Sequence, residues 1–293
     1  MPILLAIAMP LLFLFRGFKI KDWRRVGVGP FSSAAAGSFL ALPMFIAILF
    51  YTVAFSKGIV FTQSWVLGAL AWVAIATSTN ILSIWIFKHI SFTQFGALSR
   101  VFAFIFSILS DIFIFKIDFP IMSILFLFMI LLGGVEIKDK SIAKNKKAHK
   151  HPIWRLVGIV IIIQALVAMQ IILFKHLAII QTDMLFLAAF FQTMIFSSFL
   201  VLGIKPAIKD IKSGKIKIAD IIYTNFLIII FCLMEPHVLK ALPIVVITSL
   251  GVVSIAFSYL YDLKSNDLHK DKHSLFYLAI IFLGVIGLVV VQH

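Results

Sequence analysis

From Trp154 to Phe174 the chain reads WRLVGIVIIIQALVAMQIILF, a stretch whose only charge is Arg155 at its edge. A helix rises about 1.5 Å per residue, so this length matches the roughly 30 Å of a bilayer's hydrocarbon. Its apolar residues are continuous rather than alternating, and it is too long for a barrel strand of about ten residues. In lipid a helix satisfies its own backbone groups. A transmembrane helix is the reading that fits.

Nine further apolar runs share this texture. All ten lie at roughly 2–15, 32–55, 64–87, 92–115, 119–136, 154–174, 184–203, 218–234, 241–261 and 275–291. The first is short, and is expected to be tilted, interfacial or the remnant of a longer helix. Composition agrees, with 62% hydrophobic and 13% charged residues and a mean hydropathy of +1.12. Soluble domains carry about twice that charged fraction. The expected fold class is an all-α integral membrane protein of about ten transmembrane helices. Trp65 and Trp85 bracket the third run, which suggests anchoring at the two interfaces.

The net charge of +14 is spread over short segments between the apolar runs, which argues against nucleic acid. Odd-numbered loops hold 21 Lys and Arg and even-numbered loops hold four. The basic loops 16–25, 138–155, 205–217 and 264–272 are therefore expected to be cytoplasmic, with both termini outside. The stretch KDKSIAKNKKAHKHP (138–152) is the one real linker. It separates an expected first repeat, 1–137, from a second, 153–293. His149, His151, His269 and His273 lie in loops, with no Cys or carboxylate cluster to complete a metal site. No metal or cofactor is expected. Cys232 is the single cysteine, so no internal disulfide forms.

The two halves match at an offset of 151 residues. Phe106-Ser107-Ile108-Leu109-Ser110-Asp111 aligns with Phe257-Ser258-Tyr259-Leu260-Tyr261-Asp262, and Gly133 with Gly284. Five spans per half is an odd number, so the second copy enters the membrane inverted. Inverted pairs place a binding site between the halves near the midplane.

In layout the chain resembles the drug/metabolite transporter superfamily, in particular its EamA-like ten-helix members. The resemblance is carried by Phe87-Lys88-His89-Ile90-Ser91 leading into Phe92–Phe115, by Phe119–Ile137 with Leu132-Gly133-Gly134-Val135, and by Trp154–Gln192 with Phe174-Lys175-His176-Leu177 between two helices. It implies two inverted five-helix repeats and transport of amino acids, nucleotide-derived metabolites or drug-like cations. The chain departs from the family in its short first helix, which lacks Trp-Gly character. The acidic residue after the fourth helix is represented only by Asp118 or Asp111. The charge count also places the termini on the side opposite to the family's habit.

Ionisable residues inside spans need a reason, since each costs about 2.5–3.5 kcal/mol on insertion. Arg100 lies well inside the fourth run, and its guanidinium suits a carboxylate or phosphate; snorkelling or a structural ion pair is the competing reading. Glu235, before Pro236 at the end of the eighth run, is a candidate for proton coupling or an interfacial residue. Asp111 and Asp262, at equivalent repeat positions near the ends of their helices, are read as structural caps or loop contacts. Asn80, Gln164, Gln192 and Asn225 mark inward faces, because a bare amide in lipid is costly. Trp72 and Tyr223 join them as candidate pocket residues, with helix packing the alternative for Trp72. Ala34-Ala35-Ala36-Gly37-Ser38 would allow close helix approach.

The function expected is secondary transport of a small organic solute, amino acid-like or another metabolite, by alternating access. The partners are that solute, membrane lipid and a coupling proton or exchanged solute. A bacterial inner membrane is the expected location. No Gly-rich phosphate loop suggests a pump, and buried acid/base residues are too sparse for an enzyme. The alternative is a non-transporting scaffold or a lipid scramblase.

Overall fold

The computed structural model of the chain describes residues 2–56, 59, 62–87, 89, 92–116, 153–181 and 183–250, with scattered positions in 122–129, 254–261 and 276–290. Among them there are helices and no strands. The helices are α1 (Pro2–Arg25), α2 (Pro30–Ala36), α3 (Ala41–Phe55), α4 (Gln63–Ile86), α5 (Phe92–Leu109), α6 (Ile153–Ile180), α7 (Met184–Lys212), α8 (Ile218–Ala241) and α9 (Ile244–Leu250). A π-helical turn, Ser110–Ile114, extends α5.

Among the described residues, four helices are apolar and long enough to cross a bilayer: α4, α6 from Arg155, α7 and α8. The pair α2 and α3 adds a fifth span if counted as one, bent by 52°. The fifth and tenth apolar runs fall mostly outside the described residues, as do Asp262, the basic linker and the loop histidines.

Several sequence expectations are corrected. The first helix is not short. It continues through 16–25, expected to be a loop, because Ile20 and Trp23 keep one face in the core: each is 2% exposed. The bases ride on this helix, and Lys19 Nζ pairs with Asp220 Oδ1 at 3.0 Å. α6 runs unbroken through Phe174-Lys175-His176-Leu177, expected to lie between helices, where Phe174 and Leu177 are buried. α7 extends through Pro206 to Lys212, and α8 runs through Glu235-Pro236 to Ala241. Trp65 is not an interfacial anchor. Its ring is fully buried and packs against Phe186, Phe190 and Phe191 of α7.

The chain forms two compact units, Met1–Lys88 with Met169–Ala241 and His89–Ala168 with Leu242–His293. The first takes one part from before the basic linker and one from after it, and the second takes the segment that contains the linker together with the end of the chain. In the first unit α7 is the hub, with α2, α3, α4 and α8 packed on it, while α1 lies along α8. The small side chains at 34–36 are wholly buried and let α2 approach α7 closely. Ser32 Oγ donates to Asp210 Oδ2 at 2.7 Å, tying the start of α2 to the end of α7.

At the opposite end of α7, Asp183 is the N-cap, and its Oδ1 accepts from Phe186 N at 2.8 Å. Its Oδ2 accepts from the hydroxyl of Ser56, which closes α3. One carboxylate thus joins two helix ends. Asp183→Ala is expected to lower unfolding stability by about 1–2 kcal/mol. Thermal unfolding in detergent checks this, and an unchanged midpoint would mean that the cap contributes nothing.

In the second unit α9 packs on α5 and on its π turn. Asp111, wholly buried in that turn, accepts from Ile244 N at 3.4 Å at the first residue of α9. Ser107 and Thr248 link the same two helices at 2.8 Å. The capping role read for Asp111 matches this geometry.

Candidate functional site

The feature that sets the first unit apart from a plain helical bundle is the interruption between α2 and α3. In an unbroken helix Leu40 N would donate to Ala36 O. Here the Asn225 amide of α8 sits in that rung. Its Nδ2 donates to Ala36 O at 3.0 Å, and its Oδ1 accepts from Leu40 N at 3.0 Å and Ala41 N at 2.9 Å. A second Nδ2 bond goes to Ile221 O at 2.8 Å. A side chain inserted into the helical ladder is one of the recognised causes of a sharp kink. The α2 terminus is finished locally, with Gly37 N and Ser38 N donating to Ser33 O and Ala35 O, each at 3.0 Å. Ser38 Oγ donates to Ala34 O at 2.8 Å.

Beside this break lies Arg16 of α1. It is 3% exposed, and its Nη2 stands 2.9 Å from where a side chain on Gly37 would begin. Its Nε is buried without a hydrogen-bond partner. Among the described residues no ion pair reaches the guanidinium. Cys232 of α8, itself buried, is within electrostatic range.

The depth of this charge follows from helix geometry. Arg16 precedes the end of α1 at Arg25 by nine residues, or about 13 Å. A helical side chain leans towards its helix's N-terminus, so the guanidinium reaches further still from that end. Phe13, one turn deeper, stacks on Phe231 of α8 with ring centroids 5.7 Å apart. A charge withdrawn from water inside the protein is costly unless something compensates it.

The residues singled out in the sequence fall in different places. Asn225 is buried and its amide is saturated by the four bonds above, so it builds the break and has no donor or acceptor left for a solute. Asn80 Nδ2 donates to Ala76 O at 2.8 Å within its own helix. Trp72 is buried in an aromatic cluster, 4.4 Å from Phe191 and 5.3 Å from Phe174 between ring centroids. Tyr223 is 41% exposed on the outside of α8. Gln192 is buried in α7 within the first unit, and Gln164 is buried in α6 within the second. Glu235 is half-buried in the body of α8, one turn beyond Cys232. The side chain of Arg100 lies outside the described residues.

The residue missed by sequence reasoning is Arg16. It follows the apolar run 2–15 directly and opens a run of bases, which made it look like the first residue of a loop. The available signal was the apolar pair Ile20 and Trp23, four and seven residues after Arg16 and so on its helix face, which keeps that face in the core beyond the charge.

Among the described residues, four long apolar helices, or five spans if the bent pair α2–α3 is counted as one, define a helical multi-pass membrane protein. No family model matches the chain, and no curated protein matches it. A solved structure described only as the crystal structure of a protein superposes with a TM-score of 0.67 at 12% identity, over 99% of this chain and 96% of its own. At that identity the likeness is one of fold.

Proposed function

We propose that this protein is a secondary transporter that carries a small organic solute across a cell membrane by alternating access. The observation that carries the reading is the broken span α2–α3, held open by Asn225, with the buried Arg16 guanidinium against it. Transporters build solute and ion sites from discontinuous helices, because irregular backbone at membrane depth is tolerated where protein or a cavity surrounds it. A purely structural bundle gains nothing from interrupting a helix beside an uncompensated charge.

The proposal includes ten helices in two inverted five-helix repeats, as in EamA-like transporters. It includes cytoplasmic basic segments at 138–155, 205–217 and 264–272, with the basic end of α1 at Arg24 and Arg25 on the same side, and a bacterial inner membrane as the location. The resemblance in layout, the repeat at an offset of 151 and the charge asymmetry support these points.

Counterflow exchange in proteoliposomes tests the reading, with labelled amino acids, nucleosides and organic cations outside and the same unlabelled solutes inside. Saturable exchange of one class is the expected result. Folded, reconstituted protein that exchanges none of them would move the reading to a scaffold, and rapid flip of labelled phospholipid in the same vesicles would move it to a scramblase.

A further inference from the structure

The Arg16 guanidinium has a geometry and a setting that a structural arginine does not need. It is 3% exposed, its Nε has no hydrogen-bond partner, and among the described residues it forms no ion pair. Its Nη2 lies against Gly37, beside the α2–α3 break, in the place a side chain on that residue would take. The neighbouring polar groups are already spent. Asn225 is saturated, and the Ser33 and Ser38 hydroxyls donate to Gly29 O and Ala34 O. Arginine therefore brings the unused donors of this site, in a planar fork that matches an oxyanion bidentately.

We propose that Arg16, at the α2–α3 break, binds the oxyanion of a small solute, a carboxylate or a phosphate, and so selects anionic or zwitterionic substrates over cations. The assignment deepens the transport reading and rests on it for the word substrate, but binding can be measured without transport. Three features converge on it: an uncompensated positive charge, a helix interruption held by a separate residue, and a glycine against which the guanidinium packs at that interruption. Cys232 of α8 is the titratable side chain within electrostatic range of the guanidinium, and Glu235 lies one turn further along that helix. A phospholipid headgroup carries the same phosphate chemistry. The site's burial and its depth along α1 favour a solute that detaches from the interface.

The test uses the purified full-length protein and three probes, L-glutamate, benzoate and inorganic phosphate, with binding read by calorimetry and by thermal unfolding. Nanodiscs with and without phosphatidylglycerol form the lipid arm. The expected result is saturable binding of at least one probe to the native protein. Arg16→Lys, which keeps the charge and loses the fork, should weaken it about tenfold, and Arg16→Met should abolish it. Arg16→Met without ligand should unfold at the same temperature as the native protein or higher, since it removes an uncompensated buried charge.

Failure of the native protein to bind any of the three probes would overturn the proposal. So would undiminished binding by Arg16→Met, stabilisation by phosphatidylglycerol alone, or loss of the apo fold in Arg16→Met, which would make the guanidinium a structural partner. Exchange of an organic cation that survives Arg16→Met would sink this assignment and leave transport standing. Oxyanion binding that depends on Arg16, without exchange of any solute, would do the reverse.

Discussion

Asn225→Leu is expected to lower the stability of the protein by about 2–5 kcal/mol, one of the two largest effects of any single substitution considered. Leucine is close in volume, so the packing of α8 is nearly kept. What goes is an amide that satisfies Ala36 O, Leu40 N and Ala41 N across the break. Ile221 O keeps its own helical partner and suffers little. Of the three orphaned groups, Ala36 O and Leu40 N can recover by pairing with each other, which would restore the helical rung and straighten α2 onto α3. The side chains 34–36 packed on α7 resist that movement, so the protein loses either the hydrogen bonds or the packing. Asn225→Asp keeps the acceptor for Leu40 N and Ala41 N but loses the donor to Ala36 O, and should lie between the two. Thermal unfolding in detergent ranks the three proteins. A leucine variant as stable as the native one would mean that the break is set by something other than Asn225. In transport, the leucine variant should be inactive even where it survives, because straightening α2 onto α3 removes the interruption against which the Arg16 guanidinium lies.

Gly203→Leu is expected to yield no folded protein, and Gly203→Ala to cost about 3 kcal/mol or more. A Cβ at this position of α7 would lie 2.1 Å from Phe31 O, 2.6 Å from Phe31 C and 2.9 Å from Ala35 Cβ. Two of those atoms are backbone, so no rotamer change makes room. The helices must separate, and with them goes the seam on which α2 is fixed, including the bond from Ser32 to Asp210 at 2.7 Å. The effect has a built-in contrast. A Cβ at Gly158 of α6 meets nothing within 4 Å, so Gly158→Ala should be neutral or slightly stabilising through helix propensity. Comparing the two alanine variants by yield of monodisperse protein and by unfolding temperature separates a steric seam from a general dislike of alanine. Equal behaviour would contradict the close approach of α2 and α7.

Much of the local structure could be read from residue order. Runs without charge gave the helices α4, α6, α7 and α8, since a continuous apolar segment in lipid has one good way to satisfy its backbone. The stretch 34–38 announced a close contact because side-chain volume is a property of the residue itself. Helix ends were less legible. Lys175 and His176 in α6, the lysines at the end of α7 and the bases of α1 suggested loops, yet each sits on a helix whose apolar face continues past it. A charge marks a loop only when its neighbours stop being buried, and burial depends on the partner helix.

The candidate site divides in the same way. Sequence by itself determined that the chain lives in lipid, that it is helical, and that Asn225 inside an apolar run must have partners. Which partners it has was decided by tertiary structure alone: Ala36, Leu40 and Ala41 are more than 180 residues away along the chain. The same holds for Arg16. As one base among five at 16–25 it looked solvated, and only the packing of α1 against α8 and against the α2–α3 break withdraws it from water and leaves it uncompensated. Composition and periodicity report the average surroundings of a segment. The cost of a single buried charge or amide depends on the few atoms that surround it, and those atoms are brought there by distant parts of the chain.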